Sequence, residues 1–503
     1  MRQNAAALWA IACLTGALAN PSASTAIACK GISKVIPNRV WYPLSIPYIS
    51  ETNAYWSVAL KEIKPACLVL PKSAEDVAAA VRVLNQHPDV LYAVKSGGHD
   101  PNPRHSTIQG GVVISMRDLN GVAYDPRTKL AYVKPGGTWY DVISTLEPYG
   151  VAILGGRIGI VGVGGLLLQG GLSFLSAQYG LAADNIVGWE TVTANGSIVN
   201  IDAAIDKELA VAMRGSGSQF GIVTKFTIRA YPIGKVWGGY RIYTEASADK
   251  IFEAVHEFIP NNAADPKAAL IVSQLVLFGG IRSFVIFYFY QDGKPPVSGP
   301  LAKFLQIQPL IDQTSTQTYS SLLKKNGDLP GVVNARIAFS TLTIPYIPDN
   351  PQIYAEIADH FTSLYRGFLL NPLHLTSLCS IDFLPLPAVI AKHSEERGGN
   401  ALGIKEADGD RLMIETQCTW AFKNDDSIIH ELTNAMLTWL NMKIGQWIAK
   451  EDSLANYLPI MMNVADANQN VTGSYRDYAS FKSLQQAIDP EGFFRQRGGG
   501  FKF

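Results

Sequence analysis

The chain carries no excess of charge: among its 503 residues, 42 Lys and Arg balance 42 Asp and Glu. That removes the electrostatic footprint expected of a nucleic-acid or anionic-membrane partner. Its eight histidines are scattered, with no H-E-x-x-H and no Cys/His cluster, so no metal site is expected. The glycine-rich stretch contains neither G-x-G-x-x-G nor the phosphate-binding G-x-x-x-x-G-K-[ST], which disfavours nicotinamide-type Rossmann binding and ATP binding. Gly215-Ser216-Gly217 lacks the spacing of a G-x-S-x-G nucleophile elbow. No internal repeat and no low-complexity tract is present.

Long apolar runs are also scarce. The one example, Ala5 to Ala19 behind Arg2, is short of the ~20 residues a membrane span needs. It reads as a secretory signal over residues 1–19, with Ala17-Leu18-Ala19 as a small-x-small cleavage site and Ala26-Ile27-Ala28 as a later alternative. No membrane anchor is expected. Cys13 would leave with that signal, and Cys29, Cys67, Cys379 and Cys418 would enter an oxidising compartment, outside the cell or in the endomembrane lumen. Pairing of Cys29 with Cys67 would tie the mature N-terminus to the first domain, whereas Cys379 and Cys418 could pair or stay buried as thiols. The sequons Asn195-Gly196-Ser197 and Asn470-Val471-Thr472 suit a secreted glycoprotein.

What is present is a composition for two or three globular domains, 48% apolar and 17% charged. Cys67 to Leu70 reads as a strand. Ser73 caps a helix with Asp76 at its third position and Val77, Val81 and Leu84 inward. A short apolar strand then runs into Val94-Lys95-Ser96-Gly97-Gly98-His99-Asp100, where two glycines allow close backbone approach and successive amides can hold a phosphate. Strands follow at Val112–Ser115 and Ala131–Val133, then a Thr138-capped helix with Asp141 in its first turn. Eight glycines fall between Gly155 and Gly171, interleaved with Ile, Val and Leu. A flexible linker would carry serine instead, so this run is expected to pack its backbone against a flat ligand or another backbone. Asn195-Gly196 between apolar runs marks a hairpin. After Pro232 the glycine density falls, and the chain alternates strands (Leu270–Phe278, Arg282–Tyr290, Leu412–Phe422) with helices (one capped at Asn350-Pro351, one from Ser427 to about Ile444). That is an antiparallel sheet with helices, a second unit of α+β type.

Ser96-Gly97-Gly98-His99, Pro135-Gly136, Val163-Gly164-Gly165, Tyr179-Gly180-Leu181-Ala182-Ala183-Asp184-Asn185, Arg214-Gly215-x-Gly217-x-x-Phe220-Gly221-Ile222-Val223 and Asp489-Pro490 occur in that order. The set resembles the berberine bridge enzyme-like branch of the vanillyl-alcohol-oxidase / p-cresol methylhydroxylase (PCMH-type) flavoproteins, particularly fungal FAD-linked oxidases of secondary metabolism. The resemblance implies an α+β fold with a two-subdomain FAD-binding domain over 63–232, completed by 455–503. A substrate-binding domain over 233–454 would lay its antiparallel sheet, flanked by helices, over the isoalloxazine ring. It implies FAD bonded covalently to His99. Around the cofactor it places Ser96, Gly97, Gly98, Asp100, Pro135, Gly136, Gly164, Gly165, Gly221, Ile222 and Val223, with Asp184, Asn185, Ile186 and Val187 on the adenine side. Two departures matter. Bicovalent members carry a cysteine six residues before the Gly-Gly pair, where this chain has Ile158, so a single tether is implied. Where relatives often show Asn thirteen residues before the Pro of Asp-Pro, this chain has Asp477.

Flavin oxidation needs a base on the substrate side. In Leu412 to Trp420, period-two alternation puts Glu415 and Gln417 on one face. Gln417 stands near where the family's base-bearing strand places its carboxylate, and Glu415 is the nearest carboxylate. Tyr179 is a candidate phenol over the flavin, and Tyr475 a weaker one. The expectation is a secreted or lumenal FAD-dependent oxidoreductase that takes a hydride from a small alcohol or activated C–H compound and returns electrons to oxygen. The alternatives are a flavoprotein cyclase or isomerase and a non-catalytic flavin carrier. Substrate, electron acceptor, base and oligomeric state stay open.

Overall fold

The computed structural model describes residues 21–328, 335–450 and 457–503. The expected signal over 1–19, Cys13 and the 454/455 boundary lie outside the described residues. The later cleavage alternative falls inside the helix Ala23–Val35, where Ala28 and Cys29 are buried.

A four-stranded sheet opens the fold, in the order Val40–Trp41, Cys67–Val69, Val112–Ser115, Tyr92–Lys95. Its last three strands are parallel, so their inner faces read as unbroken apolar runs. The helix Ala74–Asn85 makes the crossover, capped by Ser73 as expected, with Val77, Val81 and Leu84 fully buried. Cys29 is bonded to Cys67, which fastens the first helix to this sheet.

A five-stranded antiparallel sheet follows, in the order Val122–Asp125, Leu130–Val133, Ile222–Arg229, Ile186–Val192, Ile198–Asp202. The Asn195-Gly196 hairpin joins its last two strands, with Gly196 at φ 79°. The glycine-rich stretch lies beside this sheet. Gly155 and Gly156 sit against the Trp139 indole, and Gly162 meets the backbone of Gly97.

The largest sheet is antiparallel. Its main path runs Ile311–Asp312, Val236–Thr244, Arg282–Tyr290, Ala268–Val276, Leu378–Leu386, Arg411–Trp420, Arg336–Pro345. Period-two alternation gives it two different faces. Val272, Ile286, Ile381 and Ile414 pack under the helices Ala248–Asn261, Ile353–Leu369 and Asp426–Ile448. Ile271, Val285, Leu384 and Met413 point the other way, toward the glycine-rich half. The helix expected at Asn350-Pro351 begins two residues later, at Ile353, with Gln352 as its N-cap. Cys379 and Cys418 stand directly opposite each other on adjacent strands and are bonded, which settles the alternative left open by the sequence.

The last segment returns to the first sheet. The Asp489 carboxylate accepts the amides of Phe493, Phe494 and Arg495 at 2.7–3.1 Å. Phe493 stacks on Tyr92 at 4.7 Å, and Arg497 donates to the carbonyls of Leu84, His87 and Val90. The Asp489-Pro490 motif is thus a clasp between chain end and first sheet.

Candidate active site

Between the glycine-rich half and the face of the large sheet turned away from its helices lies a cavity of about 660 Å³. The turn at Gly97-Gly98-His99 forms part of its wall. Gly97 and Gly162 touch through their backbones: a Cβ on Gly97 would stand 2.6 Å from the Gly162 Cα. Gly98 adopts φ 70°, a left-handed conformation that costs other residues more. Beneath the turn, buried Lys95 pairs with Glu51, which also takes a hydrogen bond from Ser115 at 2.8 Å and lies 2.9 Å from Arg117. The Ser96 hydroxyl donates to the Pro135 carbonyl at 2.6 Å and accepts the Gly164 amide at 3.1 Å. Ser96 therefore staples three family motifs together. Among the described residues, the amides of Gly97, Gly98 and His99 make no hydrogen bond. Three consecutive free donors on a cavity wall are a cradle for an anionic group such as a pyrophosphate.

His99 stacks on Trp56, with ring centroids 3.9 Å apart and planes 17° from parallel. Burial pushes its imidazole down to about 4, so the ring is neutral and nucleophilic at ordinary pH. Asp100 bonds His105 at 2.8 Å.

The structure brings most of the expected cofactor residues to this cavity. Ser96, Gly97, Gly98, His99, Asp100 and Pro135 line one part of it; Gly164, Gly165, Gly221, Ile222 and Val223 line another. Gly136 stands behind that wall, against the Met116 carbonyl. Ile158, the position that a second tether would use, also faces the cavity.

Asp184, Asn185 and Val187 do not face it, which corrects the expected adenine contacts. Asp184 is wholly buried and accepts the Leu181 amide, the Ser394 hydroxyl and the Asn400 amide. Asn185 donates to the carbonyls of Tyr179 and Leu181 and accepts from Tyr231 and Arg397. Val187 is held in the five-stranded sheet, its carbonyl taking the Ala203 amide. This motif locks the glycine-rich half to helix Ala388–Glu396 and the chain just after it, because its side chains are consumed by internal donors. Tyr179 is corrected in the same way: its ring stacks on Tyr231 at 3.8 Å and lies outside the cavity. Tyr475 is buried and donates to the Gly215 carbonyl at 3.1 Å. Asp477 stands at the N-cap of helix Tyr478–Ile488.

Glu415 and Gln417 both face the cavity, on the one strand face that alternation implied. Antiparallel register sets Asp382 directly opposite Glu415, Ser273 opposite Asp382, and Ser380 opposite Gln417. Glu415 is 7% exposed and Asp382 8%. Burial raises the proton affinity of both carboxyls; Asp382 raises that of Glu415 further, and Arg157 opposes the rise in both. Two neighbouring buried carboxylates cannot both ionise cheaply. Asp382 Oδ1 is buried without a hydrogen-bond partner, a state that costs about 1–3 kcal/mol.

The sequence reasoning missed Asp382, Arg157, Trp56 and Asn463. The one available signal for Asp382 was a lone acid in the apolar run Leu378 to Leu386. Its partner lies on the next strand, beyond a loop and a helix. Asn463 bridges the Gly171 amide and the Leu166 carbonyl, which no motif announced.

Residues 65–202 match the FAD binding domain family. The whole chain is similar to an FAD-linked oxidoreductase of Arthroderma benhamiae, 32% identical over 95% of this chain and 93% of that one. An FAD-dependent monooxygenase of Aspergillus calidoustus is 30% identical over 91% of this chain and 86% of that protein. In fold, the xylooligosaccharide oxidase of Myceliophthora thermophila superposes with a TM-score of 0.73 over 96% of this chain and all of that one, at 18% identity. The fold is that of the berberine bridge enzyme-like oxidases. The chain belongs to the FAD-linked oxidoreductases, and it is an enzyme that uses FAD.

Proposed function

We propose that this enzyme oxidises a small, hydroxyl-bearing or C–H-activated organic molecule, with Glu415 as the proton acceptor and oxygen as the final electron acceptor. FAD, when bound, supplies a two-electron acceptor for the hydrogen that leaves substrate carbon as hydride. The amides of Gly97, Gly98 and His99 would hold its pyrophosphate, and the neutral His99 imidazole would bond covalently to the flavin. Trp56 fixes the plane of that imidazole. The carrying observation is a buried carboxyl, Glu415, on the sheet face that borders the same cavity as His99. Its raised proton affinity suits a general base working near neutral pH. The apolar side chains around it, Ile271, Leu275, Val285, Phe287, Leu384 and Met413, exclude water and leave few polar contacts for a substrate.

The names of the fungal relatives, FAD-dependent monooxygenases among them, support a place in secondary metabolism. In this reading residues 63–232 with 455–503 form the cofactor unit, and 233–454 the substrate unit. The two disulfides, the apolar N-terminal run and the two sequons support passage through the secretory route.

Anaerobic mixing of purified holoenzyme with a panel of benzylic and allylic alcohols tests the reading. The expected result is substrate-dependent loss of the flavin's visible absorbance, restored by air with consumption of oxygen. Product formation with no change in flavin colour would replace oxidation by cyclisation or isomerisation.

A further inference from the structure

Asp382 has no role in the oxidation described so far, yet it is a buried acid on the cavity wall with one carboxylate oxygen left without a partner. It is at least nine-tenths buried, its Oδ1 has no partner, and it stands beside Glu415 in direct cross-strand register. Residues so paired hold their Cβ atoms about 5 Å apart on one sheet face, within hydrogen-bond reach for two carboxyls. The charged and polar groups facing the pair are Arg157, from the glycine-rich stretch, and the hydroxyls of Ser273 and Ser380 on the sheet itself. Tyr319 also acts electrostatically on Arg157.

We propose that Asp382 and Glu415 act as one proton-sharing pair that recognises a substrate hydroxyl, so that the substrate is a neutral, mainly apolar alcohol presenting a single donor to two acids. The inference rests on the oxidase reading and deepens it. One member of the pair holds the shared proton and the other accepts a hydrogen bond from the substrate. During oxidation the substrate O–H bond breaks and its proton joins the pair. The electron pair left on oxygen becomes the second C–O bond, while the hydrogen on carbon departs with its two electrons to FAD. Arg157 keeps the pair's net charge near neutral after one ionisation. The pair therefore discriminates against ethers and against anionic carboxylates: an ether brings no proton, and a carboxylate brings a second negative charge to a pair that already carries one.

Two measurements on holoenzyme test this. Infrared difference spectra across pH report the carboxylic-acid C=O band. In wild type that band persists into the neutral range, and in both Asp382→Asn and Glu415→Gln the surviving carboxyl titrates at lower pH. If each variant deletes its own band and leaves the other's titration unchanged, the acids are independent and the pair does not exist. The second measurement is titration with phenol, which stays un-ionised at neutral pH, and with its methyl ether, read by the change in flavin absorbance. Wild type binds the phenol at least tenfold more tightly than the ether, and Asp382→Asn loses most of that preference while keeping its flavin. Equal affinities, no saturable binding of the phenol, or an unchanged preference in Asp382→Asn would overturn hydroxyl recognition. Neither readout needs turnover, so a failure of the oxidase reading alone would leave both results standing.

Discussion

The two walls of the cavity are built by different means. The wall we assign to the cofactor is made of backbone: glycines at van der Waals contact, free amides, and one stacked imidazole. The wall we assign to the substrate is made of side chains that stand on separate strands and meet only by register, as Asp382 and Glu415 do. A backbone-built wall tolerates little change where a glycine's Cβ would collide with its neighbours, as at Gly97, Gly162 and Gly221. A side-chain-built wall can be rewritten one residue at a time without disturbing the sheet, since the opposite face carries the packing under the helices. The difference teaches where this fold can acquire new substrates and where it cannot.

The comparison breaks most visibly at the Gly97–Gly162 contact. Gly162→Ala is expected to abolish flavin incorporation and to cost about 1–3 kcal/mol or more of stability, because the new methyl meets the Gly97 backbone. Gly137→Ala, with open space around it, should keep flavin content and melting temperature. Flavin absorbance per protein and thermal unfolding measure both. If both variants load flavin equally, the cofactor wall is not set by backbone contact.

On the substrate wall the expected loss is catalytic only. Glu415→Gln should lower the rate of flavin reduction by about 10²- to 10⁴-fold, with flavin content unchanged. For the wild type the same rate should fall as the medium is acidified from the neutral range. A base of raised proton affinity is captured by protons earlier than an ordinary carboxylate.

The acid pair also has a stability signature of smaller size. Its folded-state proton affinity lies above that of the unfolded chain, so protonation stabilises the fold, and stability declines as pH rises from about 4–5 through neutrality. The double variant Asp382→Asn/Glu415→Gln should flatten that decline, by about 1.4 kcal/mol for each tenfold change in proton affinity removed. Denaturant midpoints of apoprotein at several pH values measure it. The smallest effect is expected at Tyr179, whose ring is spent on Tyr231. Tyr179→Phe should change flavin reduction less than about twofold, and a large drop would return this phenol to the chemistry.

The ordered motifs of the amino-acid sequence carried the family resemblance, and that resemblance implied Ser96 to Asp100, Gly164-Gly165 and Gly221 to Val223 as cofactor contacts before any fold was in hand; the structure puts these residues on one cavity wall. Alternation along Leu412 to Trp420 likewise fixed which face Glu415 and Gln417 share. The resemblance says less where a polar motif has two possible partners: it implied Asp184-Asn185 and Tyr179 as ligand contacts, but internal donors and a neighbouring ring engage them. Only the tertiary structure decided the acid pair. Residues 33 positions apart, Asp382 and Glu415, become neighbours through strand register, and register is set by the packing of a whole sheet face rather than by either strand alone.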